Sequence, residues 1–183
     1  MKRFFYTFLC CVMKLALAGC FTSLSASAQE LALSTNFVDY ARTGTANLET
    51  SYALARHWSV NVGVKYDSGG EMRQQLYSVG GRYWPWHIYS GWWLSGKMQY
   101  QEFNEAERIT LETSEGDRYG AGISGGYSKM LGRHLNLDLG IGLWTGYTRY
   151  VTYACPTCGR IIGSDDKLFV LPNDLMIALS YIF

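Results

Sequence analysis

Two cysteines near the C-terminus have the spacing that most directly suggests chemistry. Cys155 and Cys158 lie in the stretch YACPTCGRII, a C-x-x-C pattern followed by glycine. This spacing occurs in zinc half-sites, in redox pairs and in small disulfide rings. A tetrahedral zinc site needs four ligands, and this loop adds at best Asp165 or Asp166, so zinc would require a second chain. No thioredoxin-like pattern accompanies the pair to support redox catalysis.

A nucleophile with its general base is the second kind of chemistry to consider. The three histidines, His57, His87 and His134, each lie in a short connecting segment beside an arginine or a tryptophan. Residues 122–126, GISGG, match the G-x-S-x-G pattern but lie in the middle of a predicted strand. A catalytic serine and its base must lie within hydrogen-bond reach of each other, and a serine within a strand is not placed to meet histidines in the connections. We therefore predict no catalytic residues and a structural role for the histidines.

The N-terminal residues predict export. Basic residues and an apolar run precede SASAQE, a small-residue cleavage pattern, so we predict a signal peptide at residues 1–28 and one domain at residues 29–183. A second interpretation rests on the sequence LAGC, which has the form of a lipoprotein box in which Cys20 would be lipidated. Lys14 leaves too short an apolar run before Cys20, which favours cleavage after Ala28.

Cleavage at that point changes both the cysteine count and the charge. Only Cys155 and Cys158 of the five cysteines would remain, in an oxidising compartment. Loss of Lys2, Arg3 and Lys14 takes the 16 basic residues to 13 against 15 acidic ones, a net charge near −2. This balance gives no support for a basic face that would bind nucleic acid. No apolar run is long enough for a transmembrane helix, so only strands could cross a membrane.

Apolar residues recur at every second position, which is the period of a β-strand. In HLNLDLGIGLW, leucine and isoleucine alternate with Asn136, Asp138, two glycines and Trp144. The last nine residues, LMIALSYIF, alternate in the same way up to Phe183 and resemble the closing strand of bacterial outer-membrane barrels. We predict an all-β fold, an eight-stranded antiparallel transmembrane β-barrel of the outer-membrane type, with strands at residues 31–39, 47–54, 58–67, 76–84, 91–103, 119–130, 135–149 and 169–183.

The connections predict the orientation of this barrel. Short and long connections alternate at residues 55–57, 67–75, 85–90, 104–118, 131–134 and 152–167, and YARTGT is a short exception on the outer side. Outer-membrane barrels have short periplasmic turns and long outer loops, so we predict an outer-membrane location with both termini in the periplasm. The predicted outer ends have tyrosines and the predicted periplasmic ends have other aromatic residues, as two outward aromatic girdles would. Those at the periplasmic ends are Trp58, Trp84, Trp86, Trp92, Trp93 and Phe183.

Charged residues fall on the strand faces that would line the barrel. An eight-stranded barrel is filled by side chains and leaves no aqueous pore. Because buried charges need partners, we predict an interior polar network with both signs of charge, a structural feature and not a proton path. Its predicted members are Glu49, Lys65, Arg82, Lys97, Asp138 and Asp174.

With eight strands placed, the chain resembles the DUF3575 family of Bacteroidetes outer-membrane proteins. The matching segments are LALSTNFVDYA, LARHWSVNVGVKY, VGGRYWPW, the glycine-rich residues 119–150, and YACPTCGRIIGSDDK, where the family has a comparable C-x-x-C-G. Members are associated with loci for surface fimbria assembly, so the resemblance implies an anchoring or surface role. It implies no catalytic residues.

Three functions are compatible with this sequence. We expect a non-enzymatic outer-membrane barrel without cofactor, surrounded by outer-membrane lipid, whose loops contact a surface or fimbrial protein. The alternatives are an enzyme acting on lipid A, which no histidine in the outer loops supports, and a soluble periplasmic ligand-binding barrel, which would have an apolar interior. The topology puts Cys155 and Cys158 in the last outer loop, where we expect a disulfide, with a free dithiol or a metal shared between chains as alternatives.

Overall fold

The computed structural model describes residues 31–67, 72–106, 113–154, 159–172 and 175–183. The predicted signal peptide, Cys20, the pair Cys155 and Cys158, and Asp174 lie outside these residues. The described chain forms nine strands and one helix, which are β1 Leu31–Asn36, α1 Phe37–Thr43, β2 Ala46–Ala55, β3 Trp58–Asp67, β4 Met72–Tyr83, β5 Gly91–Ala106, β6 Thr113–Met130, β7 Leu135–Tyr153, β8 Ile161–Leu171 and β9 Met176–Ile182. A helix with the length and apolarity to cross a membrane does not occur in this described part.

The strands form one closed antiparallel barrel. Each strand from β1 to β7 pairs with the next along the chain, and β9 pairs with both β7 and β1. β8 and β9 lie on the same edge of β7, β8 against residues 144–153 and β9 against residues 135–140. They therefore count as one interrupted strand, and the predicted eight-stranded antiparallel barrel is confirmed.

The two ends of the barrel differ. At one end, which we call the turn end, short connections join β2 to β3, β4 to β5, and β6 to β7. At the other, which we call the ribbon end, β5, β6, β7 and β8 extend well past β1 and β2. The observed β5 and β6 are therefore longer than the predicted strands at residues 91–103 and 119–130.

Two predicted strands are wrong in detail at the ribbon end. The strand expected at residues 31–39 stops at Asn36 and is followed by α1, because the Asn36 side chain caps the helix by accepting a hydrogen bond from the Val38 N–H. Gly44 ends the helix with a φ of 71°, a conformation that glycine adopts without strain. The strand expected at residues 169–183 instead begins at Ile161, within the predicted outer connection at residues 152–167. It is interrupted between Leu171 and Met176, which divides it into β8 and β9.

The interior of the barrel is polar and its outer face is apolar. Along β3, Ser59 and Asn61 are buried inside, whereas the alternating Trp58, Val62 and Tyr66 are about half exposed outside. The same inversion holds on β5, β6 and β7, where the most exposed apolar side chains include Met98, Ile123 and Ile141. A soluble barrel that binds ligands inside would have the opposite arrangement.

An aromatic cluster fills the interior at the turn end. Trp84, Tyr89 and Trp93 pack there with Ala32 and Ile182. The tryptophans are 1% and 4% exposed, so the prediction that Trp84 and Trp93 belong to an outward girdle is wrong. Trp93 has the same parity as the inward residues of β5, and this parity decides which way the ring points.

Candidate functional site

Glu49 on β2 is the centre of a charged cluster inside the barrel. Its Oε2 accepts a hydrogen bond from Lys97 Nζ on β5 at 2.6 Å. Its Oε1 accepts from Arg82 Nη2 on β4 at 3.0 Å and from Asn61 Nδ2 on β3 at 2.7 Å. One carboxylate therefore connects three other strands across the interior.

Arg82 connects this charged cluster with β7 and with the aromatic cluster at the turn end. Its Nη1 lies 3.9 Å from Asp138 Oδ2 on β7, and that oxygen accepts a hydrogen bond from Ser180 on β9 at 2.6 Å. The guanidinium also lies over the Trp93 ring, 4.3 Å from its centroid, where a cation–π attraction adds to the ion pairs. Two acids and two bases thus meet in one buried, formally neutral group.

A second ion pair lies nearer the ribbon end. Lys65 Nζ on β3 is 2.9 Å from Asp39 Oδ2 on α1, and Asn36 and Asn47 both donate hydrogen bonds to that carboxylate. Lys65 is therefore paired with Asp39, away from the Glu49 cluster. The structure brings together Glu49, Arg82, Lys97 and Asp138 of the predicted network.

Sequence reasoning missed Asp39 because it placed that residue in a strand. A signal was present, since asparagine three positions before an acidic residue is a common start of a helix. Asn36 also holds the gap between β8 and β9, where its Nδ2 donates to the Leu175 carbonyl and its Oδ1 accepts from the Ile177 N–H. Asn61 and Ser180, the polar partners of the charged cluster, were missed because neutral side chains give little sequence signal.

The cavity between the two ion pairs is small. It has a volume of about 40 Å³ and is lined by residues that include Asp39, Glu49, Lys65, Lys97 and Gln99. Pockets for small-molecule ligands measure roughly 300–1,000 Å³, so this one has room for water only. The interior is thus a packed polar core.

The aromatic cluster closes the turn end of the interior. The Tyr89 hydroxyl donates a hydrogen bond to the Ser51 carbonyl at 3.2 Å, and the Tyr89 carbonyl accepts from Ser128 and Asn136. Burial raises the pKa of the Tyr89 phenol above its usual range. The Trp93 ring lies against Gly140, where an added Cβ would be 2.7 Å from two ring carbons, as expected for a glycine that relieves crowding.

Aromatic side chains form a band on the outside at each end. Near the ribbon end, Tyr77, Tyr100, Tyr119 and Tyr147 are directly paired across four neighbouring strands, and we call them the tyrosine row. Near the turn end, outward rings contact one another in the pairs Trp58–Tyr83, Trp92–Tyr127 and Tyr181–Phe183, with centroids 4.9, 5.3 and 5.0 Å apart.

The histidines lie at the turn end, and the rings of His57 and His134 contact backbone carbonyls. His57 Nδ1 is 2.8 Å from the Trp84 carbonyl, and His134 Nδ1 is 2.8 Å from the Ile182 carbonyl. The His87 carbonyl accepts a hydrogen bond from the Ser90 N–H. Within the described ranges, no three His, Cys, Asp or Glu side chains are grouped so that they could hold a metal ion.

β7 and β8 extend past the tyrosine row as residues 148–153 and 161–167, which we call the β7–β8 ribbon. Ion pairs also lie on this ribbon. Arg149 Nε is 3.4 Å from Asp166 Oδ2 across the two strands. Lys167 Nζ is 3.0 Å from Asp165 Oδ2 and donates a hydrogen bond to the Tyr150 hydroxyl at 2.7 Å. All these groups are on the surface.

Fold and interior together define a closed eight-stranded barrel with a polar, charge-paired core and an apolar outer face. Residues 11–183 match the family described as "Protein of unknown function (DUF3575)", and the chain belongs to that family. No curated protein matches the sequence.

Proposed function

We propose that this protein is a non-enzymatic barrel of the bacterial outer membrane that displays its ribbon end at the cell surface. The observation that carries the proposal is the inverted distribution of polarity. Met98, Ile123 and Ile141 are 70%, 68% and 68% exposed on the outside, while Arg82 and Asp138 are 3% and 4% exposed inside. Lipid around the barrel would bury the apolar face, and water would not.

The two aromatic bands support a membrane of ordinary thickness between them. Trp92 and Tyr100 belong to opposite bands of the same strand. Their separation of eight residues spans roughly 27 Å along a strand, or about 20 Å in height at a tilt of ~40°, close to the apolar band of ~25 Å in outer-membrane barrels. Rings at both levels would lie at the lipid headgroups.

The packed interior supports display over transport or catalysis. A cavity of about 40 Å³ has no space for a solute, and the aromatic cluster lies across the interior at the turn end. The His57 and His134 rings each contact a backbone carbonyl through Nδ1, which fits a structural role at the turn end. We propose that a rigid barrel holds the ribbon end above the membrane, where it contacts a surface protein, and that anchoring of a fimbria-like structure is the process it serves.

Membrane fractionation with heat-modifiable electrophoresis tests this proposal. We expect the protein in the detergent-extracted outer-membrane fraction, and we expect unheated and boiled samples to migrate differently because a folded barrel resists the detergent. Recovery as a soluble periplasmic protein with a single migration would refute it. Unchanged lipid A mass spectra in a deletion strain are expected as well, and a changed spectrum would favour the enzyme.

A further inference from the structure

Within the described residues, β8 leaves a sheet edge open at the ribbon end. Among the described strands, β8 pairs with β7 only, whereas each of the others pairs on both sides. The cause is local, since β1 would continue alongside β8 but ends at Asn36, where α1 begins. β8 therefore has a row of backbone N–H and C=O groups that do not pair with any strand of the described chain.

This edge is suited to pairing with another strand. Its part past the tyrosine row, residues 161–167, spans roughly 23 Å. The segment IIGSDDK contains no proline, and its ladder with β7 is regular apart from a shift at Thr152 and Tyr153. Natural sheets usually cover or interrupt such edges, because an open edge is a template for a further strand.

The charges on the ribbon indicate the chemistry of that strand. Asp165 and Asp166 are adjacent, with side chains 53% and 65% exposed. The cations they contact, Lys167 and Arg149, lie on β8 itself and on β7. Arg149 therefore lies on the side of β8 away from the open edge, and a lysine or arginine on an incoming strand would lie opposite the exposed Asp166 carboxylate.

A second copy of this chain does not fit the edge. Copies in one membrane share one orientation, so a two-fold axis along the membrane normal would bring two β8 strands together running in the same direction. Each strand also tilts by ~40°, so the two edges would cross instead of running side by side.

We propose that the open edge of β8 binds an extended, basic segment of another surface protein by antiparallel strand pairing. The inference rests on the proposed function, because it requires the ribbon to project outside the cell. Backbone hydrogen bonds provide affinity in this mode, and the position opposite the acid pair provides selectivity.

A peptide from the chain itself is a suitable probe. Residues 144–153, WTGYTRYVTY, already pair with β8 in a register that puts Arg149 opposite Asp166. We would titrate the labelled peptide against the mature, refolded barrel in detergent micelles. The matched control is the same peptide with Arg149→Asp, and the matched barrel variant is Asp166→Arg, whose exposed side chain makes little contribution to folding.

We expect saturable binding that each single change weakens about fivefold and that the two changes together restore. Hydrogen exchange should show new protection at alternate amides of β8. Equal binding of both peptides, absent binding, or protection elsewhere would overturn the inference, as would self-association of the barrel that the peptide displaces. Heat-modifiable migration is measured on every sample. An unfolded or soluble chain would contradict the proposed function, whereas a folded barrel that does not bind the peptide would contradict this inference alone.

Discussion

The ion pairs inside the barrel and those on the β7–β8 ribbon have similar lengths in different surroundings. Inside, the Lys97–Glu49 and Arg82–Glu49 pairs measure 2.6 and 3.0 Å, with side chains 4–17% exposed. On the ribbon, the Lys167–Asp165 and Arg149–Asp166 pairs measure 3.0 and 3.4 Å, with side chains 53–68% exposed. From the distances alone, the two kinds of ion pair would be expected to contribute almost equally to stability. Access of water is therefore what makes their contributions differ.

Burial makes the interior charges mutually dependent. A buried charge that loses its partner carries its full desolvation cost, whereas an exposed charge is solvated again by water. The interior cluster also joins strands all around the barrel, and the ribbon pairs join only β7 and β8 or residues within β8. The interior therefore supports the fold, and the ribbon charges are available for recognition.

The largest effect is expected from Glu49→Gln. The substitution keeps the size of the side chain but leaves Arg82 and Lys97 with one buried carboxylate between them. We expect a loss of about 3–5 kcal/mol in the free energy of unfolding, as for other broken buried pairs. Urea unfolding of the refolded barrel, followed by electrophoretic migration, measures this loss.

The double variant Glu49→Gln with Lys97→Gln is the control for charge. It restores neutrality in the interior, so we expect it to be more stable than Glu49→Gln alone. A single variant that loses less than about 1 kcal/mol would show that the interior is well hydrated, and the contrast with the ribbon would disappear.

An intermediate effect is expected from Gly140→Ala. A Cβ at this position would lie 2.7 Å from the Trp93 ring, which is buried and held by Arg82. We expect a loss of about 1–3 kcal/mol from overpacking. Gly96→Ala on the outer face, where a Cβ meets nothing within 4 Å, is the matched control and should be nearly neutral. Equal stability of the two variants in urea would mean that Trp93 does not occupy the interior.

The smallest effect is expected from Asp166→Asn, the ribbon counterpart of Glu49→Gln. The Arg149–Asp166 pair is solvated on both sides, so its loss should change the free energy of unfolding by about 0–1 kcal/mol. The same urea titration measures it, preferably at two salt concentrations. A loss as large as that of Glu49→Gln would contradict the assignment of the ribbon as a solvated recognition surface.

Period-two alternation was enough to predict the barrel and the inward residues Glu49, Lys65, Arg82, Lys97 and Asp138. The face of a strand residue follows from its parity alone, and parity can be read from sequence. Which charges pair with one another depends on strand register and on α1, and so the partner Asp39 was not predicted.

The wrong predictions, the end of β1 and the position of Trp93, depend on side-chain contacts. The period-two pattern contains no information about such contacts. Asn36 stops β1 through its cap hydrogen bond and so creates the open edge of β8. Trp93 was expected in lipid because tryptophan is common in girdles, although its parity placed it inside. There it is stabilised by Arg82 and by the space at Gly140. The location of the chain and its partner stay predictions.

Spin-label accessibility tests the central claim, an apolar outer face embedded in lipid, most directly. Nitroxides would be attached at Met98→Cys on the outer face and at Asp166→Cys on the ribbon, with Cys155 and Cys158 replaced by serine, in phospholipid vesicles. We predict that oxygen relaxes the label at position 98 more strongly than a water-soluble nickel chelate does, and that the label at position 166 shows the reverse. Equal access of the nickel chelate to both labels would contradict the account.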